Sequence, residues 1–307
     1  MNITFMFTGQ GSQYVGMCKE LYETYDSVKD LFRRATLTLG YDVTEVMFEN
    51  EALLHDTLYT QPMMFLCYAS ILDVLKQHHI ESTHTIGLSL GEYGALYDAQ
   101  AFDFETGLRL LQKRGEYMNQ ACDVVTGKMS AILGIDAAVL SELIDQVEGY
   151  VKIANYNTYG QLVISGEEQA VLQVNELALN HNAKRAILLN TSGPFHTDLM
   201  ETAKERFAQY LNGITVSEPV KKLLLNVTGD YYQSDLKHYM VEQITSSVKF
   251  YQMVEVLLQD NMQIFIEIGP KKTLSSFVKK IDRNVTILNV EDLTSLNQTL
   301  QSLEESK

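Results

Sequence analysis

"THTIGLSLGEYGAL", residues 83–96, passes from a short β-branched run into a helical one, with Ser89 midway between Gly87 and Gly91. A serine flanked by glycines between a strand and a helix is the pattern of a nucleophile elbow: the serine takes a strained backbone conformation and its small neighbours let the chain turn. Such a Ser89 stands at the C-terminal edge of a sheet with its hydroxyl exposed. The following helix N-terminus and the amide of Leu90 then face any oxyanion formed there. The same letters also fit a serine in a Gly-rich turn or at an N-cap, so the context decides.

That context is α/β. Through the first 120 or so residues, apolar β-type runs alternate with helical patterns, as in a sheet with crossover helices. "ITFMF" (3–7) reads as the first strand and "TIGL" (85–88) as the start of the second. Between them, 18–39 and 61–79 read as helices, with Pro62 tolerated at the start of the latter. From residue 124 the pattern becomes β-α-β-β-α-β: "KMSAILGI", "AAVLSELIDQVE", "YVKIANYN", "QLVISG", "QAVLQVNELALNHN" and "AKRAILLN". This predicts a ferredoxin-like subdomain over 124–190, inserted in a larger one made of 1–123 and 191–307, with a cleft between them. After the insertion come a helix around 198–211, strands "KKLLLNV" and "IFIEIG", then "TLSSFVKKI", "VTILNV" and a C-terminal helix.

Composition narrows the function classes. A chain of 307 residues, 46% hydrophobic and 21% charged, can bury one sizeable core or two unequal ones. A net charge of -15 opposes any general affinity for nucleic acid or anionic membrane, and an anionic substrate would need a local basic feature. Cys18, Cys67 and Cys122 are widely spaced and odd in number, which points to reduced, structural thiols and away from a disulfide framework or thiol metal site. "MNITFMFTGQGS" enters an apolar strand without the features of a secretory signal, and no apolar run approaches the roughly 20 residues that span a bilayer. A cytoplasmic location is expected.

A serine hydroxyl needs a base. Of seven histidines, His196 in "LLNTSGPFHTDLM" differs from the rest, following a strand in a Gly-Pro turn just before a helix; a histidine opening a helix is otherwise unremarkable. "FMFTGQGSQYVGM" invites a dinucleotide-binding reading, but the third glycine of that fingerprint falls on Tyr14. What remains is Gln10 between two glycines, which either donates to a ligand or oxyanion or faces solvent. Arg114 lies on a helix face with Leu110, Leu111, Tyr117 and Met118. It either snorkels to the rim or pairs with a buried anion, and in the absence of a protein carboxylate that anion could be a substrate carboxylate held by the planar guanidinium fork.

Together these residues resemble the malonyl-CoA:acyl carrier protein transacylases of fatty-acid synthesis and the acyltransferase domains of polyketide synthases. The resemblance is carried by "GQGSQYVGM", "YTQP", "GLSLGEYGAL", "KRGEYM", "NYNTYGQLVISG", "SGPFHTDLM" and "FIEIGPKKTL", in family order over essentially the whole chain. It implies an α/β-hydrolase-like large subdomain, a ferredoxin-like small one and a site between them. It implies further that Ser89 is acylated, His196 is its base, Gln10 and the Leu90 amide form the oxyanion hole, and Arg114 holds the malonyl carboxylate. Gln61 and Asn157 match polar residues lining the site, and Phe195 matches a bulky residue associated with malonyl preference. The family's histidine is oriented by a main-chain carbonyl, here expected in "SSVKFYQ" near Lys249, so no Ser-His-Asp triad is expected.

The implied reaction is ping-pong, from malonyl-CoA to the phosphopantetheine thiol of an acyl carrier protein, with no bound cofactor or metal. Leu88, Thr8, Tyr159 and Lys271 depart from the usual family letters without removing a catalytic group, and Leu88 leaves the nucleophile loop one hydrogen-bonding side chain short. The partner is expected to be an acidic carrier protein, so attraction to this acidic chain must be local. Lys271, Lys272, Lys279, Lys280 and Arg283, with Lys184 and Arg185, are the candidates, against a simply solvated helix face. Service to a polyketide or hybrid peptide synthase, a serine hydrolase, and a silent carrier-binding scaffold are the competing readings.

Overall fold

The computed structural model describes residues 1–305. In chain order the strands are β1 (Ile3–Phe7), β2 (His84–Gly87), β3 (Gly127–Leu133), β4 (Val151–Thr158), β5 (Gln161–Glu167), β6 (Arg185–Leu188), β7 (Lys222–Leu225), β8 (Asp230–Tyr231), β9 (Ile264–Ile268) and β10 (Thr286–Val290). One sheet has the order β10-β9-β1-β2-β7-β8, parallel except for the β7–β8 hairpin. β1 is central and buried at every position, as a parallel strand covered on both faces must be. Its side chains divide by the two-residue period: Phe5 and Phe7 join the core beneath helices Thr57–Gln77 and Phe104–Cys122, while Met6 joins Ile86, Phe250, Phe265 and Phe277 on the opposite face.

The second sheet has the order β4-β5-β3-β6 and is antiparallel throughout, with helices Ala137–Ile144 and Glu168–Asn180 packed on one side. This is the ferredoxin-like order predicted from the alternation of elements. β4 also pairs beyond its own sheet, with the segment just before helix Phe250–Gln259. The amide of Val248 donates to Ala154 O at 2.8 Å, Tyr156 N donates to Val248 O at 2.8 Å, and the Ser247 hydroxyl donates to Ile153 O at 2.6 Å. The small sheet therefore grips the segment around residue 248.

Three expectations need correction. The helix read over 18–39 is broken at Tyr25, whose extended backbone (φ -109°, ψ 120°) ends helix Lys19–Thr24 and opens helix Asp26–Leu39. The helix read from residue 61 starts at Thr57, where Asp56 caps it by accepting from Leu58 N; Pro62 therefore lies inside it and leaves the Leu58 carbonyl without its helical donor. At 21 residues this apolar helix is also long enough to cross a bilayer, contrary to the reading of the runs, but 78% of its apolar window is buried inside the protein. The spacing of the cysteines likewise concealed a contact: the free thiols of Cys18 and Cys67 lie 2.7 Å apart in the core.

Candidate active site

The elbow forms because its neighbours have no side chains. A Cβ on Gly87 would sit 2.1 Å from the Gly91 carbonyl, and one on Gly91 would sit 2.1 Å from Phe7 O. Ser89 takes the left-handed backbone (φ 52°) expected of an elbow. Its amide donates to Asn226 Oδ1 at 2.7 Å, and Asn226 Nδ2 donates back to Gly87 O at 2.7 Å, so a buried asparagine just beyond β7 clamps both sides of the turn. The Leu88 amide donates to Phe7 O at 3.0 Å and its side chain packs over Gly9 and the Met6–Ile86 cluster. Leu88 therefore contributes packing and a main-chain bond to the loop, and no side-chain hydrogen bond.

His196 is 107 residues away in sequence, yet its Nε2 lies 2.6 Å from Ser89 Oγ. It also has a left-handed backbone (φ 61°). Its Nδ1 faces two main-chain carbonyls, Gln243 O at 2.9 Å and Ser246 O at 3.2 Å, so Nδ1 carries the proton and Nε2 is left to accept from the serine hydroxyl. Ser246 belongs to the expected "SSVKFYQ" segment, but the closer carbonyl is that of Gln243, upstream of it, and Lys249 is not the acceptor. Burial and then the positive charge of Arg114 push the histidine down to about 4, so the ring is a neutral base at physiological pH.

Arg114 is buried, with 1% of its surface exposed. Gly115 next to it lets helices Thr57–Gln77 and Phe104–Cys122 approach, since a Cβ there would meet Thr57 O at 2.7 Å. The approach brings Gln61 Oε1 to 2.9 Å from Nη1, while Gln243 Oε1 accepts from Nη2 at 2.9 Å. Among the described residues no carboxylate forms an ion pair with this guanidinium, which lies over the Tyr93 ring, and its Nε has no hydrogen-bond partner. The nearest carboxylate, Glu92, reaches this guanidinium only through Gln243, so no anion occupies the planar fork directly.

Gln10 follows Gly9, whose Cβ would lie 2.9 Å from Leu88 O, so its turn abuts the elbow. In the free protein its Nε2 donates to Thr57 Oγ1 at 3.0 Å, and that hydroxyl in turn meets Ser192 Oγ at 3.0 Å. Leu90 begins helix Gly91–Asp98 with helical angles and is buried. Phe195 is buried beside His196 in the chain. Asn157, on β4, is buried with its side-chain oxygen unpartnered, and none of its hydrogen bonds joins it to Ser89 or Arg114. Asn226, Gln243 and Glu92 escaped the reading of the sequence. Only Glu92 left a signal there, as a charged residue inside the otherwise small and apolar "LGEYGAL".

A serine elbow over a parallel α/β sheet, with a neutral histidine held by main-chain carbonyls and a buried arginine alongside, is consistent with an acyltransferase class of α/β enzyme. The chain belongs to the acyl transferase domain family, whose model matches residues 4–299. It is 40% identical to the malonyl CoA-acyl carrier protein transacylase of Bacillus subtilis (strain 168), over 99% of this chain and 98% of that protein. The solved malonyl CoA-acyl carrier protein transacylase of Clostridium perfringens superposes with a TM-score of 0.96 at 39% identity, covering 100% of this chain and 98% of that one. A malonyl-transacylase in complex with its type II PKS acyl-carrier protein superposes at 0.95 with 31% identity, covering 98% and 100%.

Proposed function

We propose that this protein transfers a malonyl group from malonyl-CoA to the phosphopantetheine thiol of an acyl carrier protein through a malonyl-Ser89 intermediate, supplying fatty-acid synthesis. The observation that carries this reading is a buried Arg114 with no carboxylate in direct ion pair, its fork held only by two glutamines, within the hydrogen-bonded network of a Ser89–His196 pair 2.6 Å apart. His196 takes the Ser89 proton as Oγ attacks the thioester carbonyl; Gln10 and the Leu90 amide stabilise the oxyanion; CoA leaves with the proton from His196. The carrier thiol then gives its proton to His196, attacks the acyl-serine and restores Ser89. Arg114 favours acyl groups bearing a carboxylate, because malonyl balances its charge and acetyl does not. Gln61 holds the guanidinium in place, and Phe195 and Asn157 complete the acyl pocket.

These steps use side chains and main-chain amides of this chain, in a large subdomain of 1–123 and 191–307 and a small one of 124–190, and the working location is the cytoplasm. The carrier protein docks on the exposed Lys271, Lys272, Lys279, Lys280 and Arg283, with Lys184 and Arg185 on the small subdomain. Lys271 supports this placement, since its Nζ donates to Gly11 O at 3.0 Å beside the Gln10 turn. Supply of a polyketide synthase is the second reading, favoured by the relative solved with a type II PKS carrier. Transfer rates to the two kinds of carrier separate them. The direct test of the chemistry is intact mass after mixing with malonyl-CoA alone: a malonyl adduct on the wild type, absent from Ser89→Ala, is expected, and an unmodified wild type sinks the reading.

A further inference from the structure

One charged group in the centre of the site takes no part in the steps above. Glu92 lies three residues after the nucleophile and is 1% exposed, and both its oxygens are occupied by groups from distant parts of the chain. Asn226 N donates to Oε2 at 2.5 Å and Gln243 Nε2 donates to Oε1 at 3.0 Å. Each donor is a hub. Asn226 holds the Ser89 amide and the Gly87 carbonyl. Gln243 donates to Ser89 O at 3.0 Å, accepts from Arg114 through its side-chain oxygen, and accepts from His196 through its main-chain oxygen. Besides the direct Ser89–His196 contact and the bonds from Ser246 and Gln61, the hydrogen bonds that set the nucleophile, the base and the guanidinium against one another pass through these two residues, both of which Glu92 binds.

We propose that Glu92 is the positioning residue of this site: its ionised carboxylate fastens Asn226 and Gln243 to the nucleophile helix, and so holds Ser89, His196 and Arg114 in one geometry. An ionised carboxylate accepts at both oxygens, which a carboxylic acid, with one oxygen turned donor, does not. The carboxylate is also one hydrogen-bonded residue away from Arg114, so it offsets the buried guanidinium while the acyl site is empty without occupying the fork that a substrate needs.

The groups around Glu92 give the device a pH dependence. Arg114 faces it from helix Phe104–Cys122 and remains charged. His196 lies on the far side of Gln243 and is neutral down to about pH 4. Tyr93, next in the chain, and Tyr68, packed on the same helix at Gly94, are held by burial above the usual phenol range. Burial outweighs the two donors and Arg114 at Glu92 itself and pushes it up to about 7. Lowering pH through 7 therefore protonates Glu92 while His196 is still a competent base.

The proposal rests on the malonyl-transfer reading, and its test is the pH profile of the loading half-reaction, read as the single-turnover rate of adduct formation from malonyl-CoA. In the wild type, loading falls as pH drops through about 7, well above the range in which His196 titrates. Glu92→Gln, neutral at every pH and bearing a donor where an acceptor is needed, loads at least about tenfold more slowly at pH 8, and its profile is flat through 7. Glu92→Asp, which keeps the charge, recovers part of the rate and keeps the fall. A flat wild-type profile between about pH 8 and 5.5, or a Glu92→Gln enzyme with the wild-type fall, overturns the role of Glu92. Should Glu92→Gln not fold, the wild-type and Glu92→Asp profiles decide alone. A wild type that forms no adduct at any pH overturns the transfer reading instead.

Discussion

Ser89 and His196 both hold left-handed backbones, a conformation that costs a residue with a Cβ about 1–3 kcal/mol unless its surroundings enforce it. For Ser89 the enforcement comes from Asn226, which accepts from its amide and donates to Gly87 O. Replacing Asn226 by alanine removes both bonds and leaves the elbow amide without its acceptor. We expect the maximal transfer rate of Asn226→Ala to fall about tenfold or more, with KM for malonyl-CoA little changed, since the acyl group is held elsewhere; steady-state kinetics separate the two. Arg114 predicts the opposite pattern. Two charge-assisted hydrogen bonds to a malonyl carboxylate, at about 1.5 kcal/mol each, amount to about a hundredfold, so Arg114→Ala should load malonyl about a hundredfold more slowly and acetyl no more slowly than wild type. Parallel loading with the two CoA thioesters, read by mass, checks it, and an equal loss on both would show that the arginine only supports the fold.

At the scale of elements, a buried carboxylate does similar work at a second place. Glu267 sits within β9 with its side chain reaching past the Gly269–Pro270 turn, where it accepts from Leu274 N at 2.9 Å and Ser275 N at 2.7 Å and so caps helix Thr273–Ile281. Removing it strands two helix amides in the interior, and Glu267→Ala should lose about 1–3 kcal/mol in urea unfolding at pH 6. Burial pushes Glu267 up to about 7 from an unfolded value of 4.5. Between those values the native state binds more protons than the unfolded one, so the stability Glu267 contributes is complete below 4.5 and is lost as pH rises through 7. The deficit of the alanine variant should narrow from pH 6 to 8, and a constant or widening gap would refute the assignment. Such caps show which parts of the molecule were legible beforehand. The apolar run of β1, the strand-glycine-serine elbow and the βαββαβ order are local signals, and the chain follows them. The break at Tyr25 and the early start at Thr57, capped by Asp56, are settled by packing and capping, against an unbroken apolar pattern. Gln243 and Asn226 are 154 and 137 residues from Ser89 and sit in ordinary polar surroundings in the sequence, so only the fold could bring them to it.

Over the whole molecule, the net charge of -15 works against approach of the acidic carrier expected here, so the proposed docking needs local positive charge, and Lys271 lies beside the Gln10 turn. The lysine cluster is plain in the sequence, whereas the contact of Lys271 with the Gln10 turn exists only in the fold. This separates two neighbours that read alike as letters. Lys272 is exposed and caps helix Thr273–Ile281 through its backbone, so reversing its charge alters the field met by the carrier and nothing in the acyl pocket. Lys271, in contrast, ties Gly11 O through its side chain and has a left-handed backbone (φ 68°), so its reversal disturbs both docking and the oxyanion turn. Lys272→Glu should therefore raise KM for carrier protein about fivefold at low salt and leave loading from malonyl-CoA unchanged, whereas Lys271→Glu should slow both half-reactions. Because exposed charges are screened beyond about 8 Å at physiological ionic strength, the Lys272→Glu effect should shrink as salt is added, while the loading defect of Lys271→Glu, which arises from a broken contact, should persist. Measuring the two half-reactions of both variants across a salt series decides the matter: an unchanged carrier KM for Lys272→Glu at low salt removes this surface from the docking site, and normal loading by Lys271→Glu removes its tie to the Gln10 turn from the chemistry.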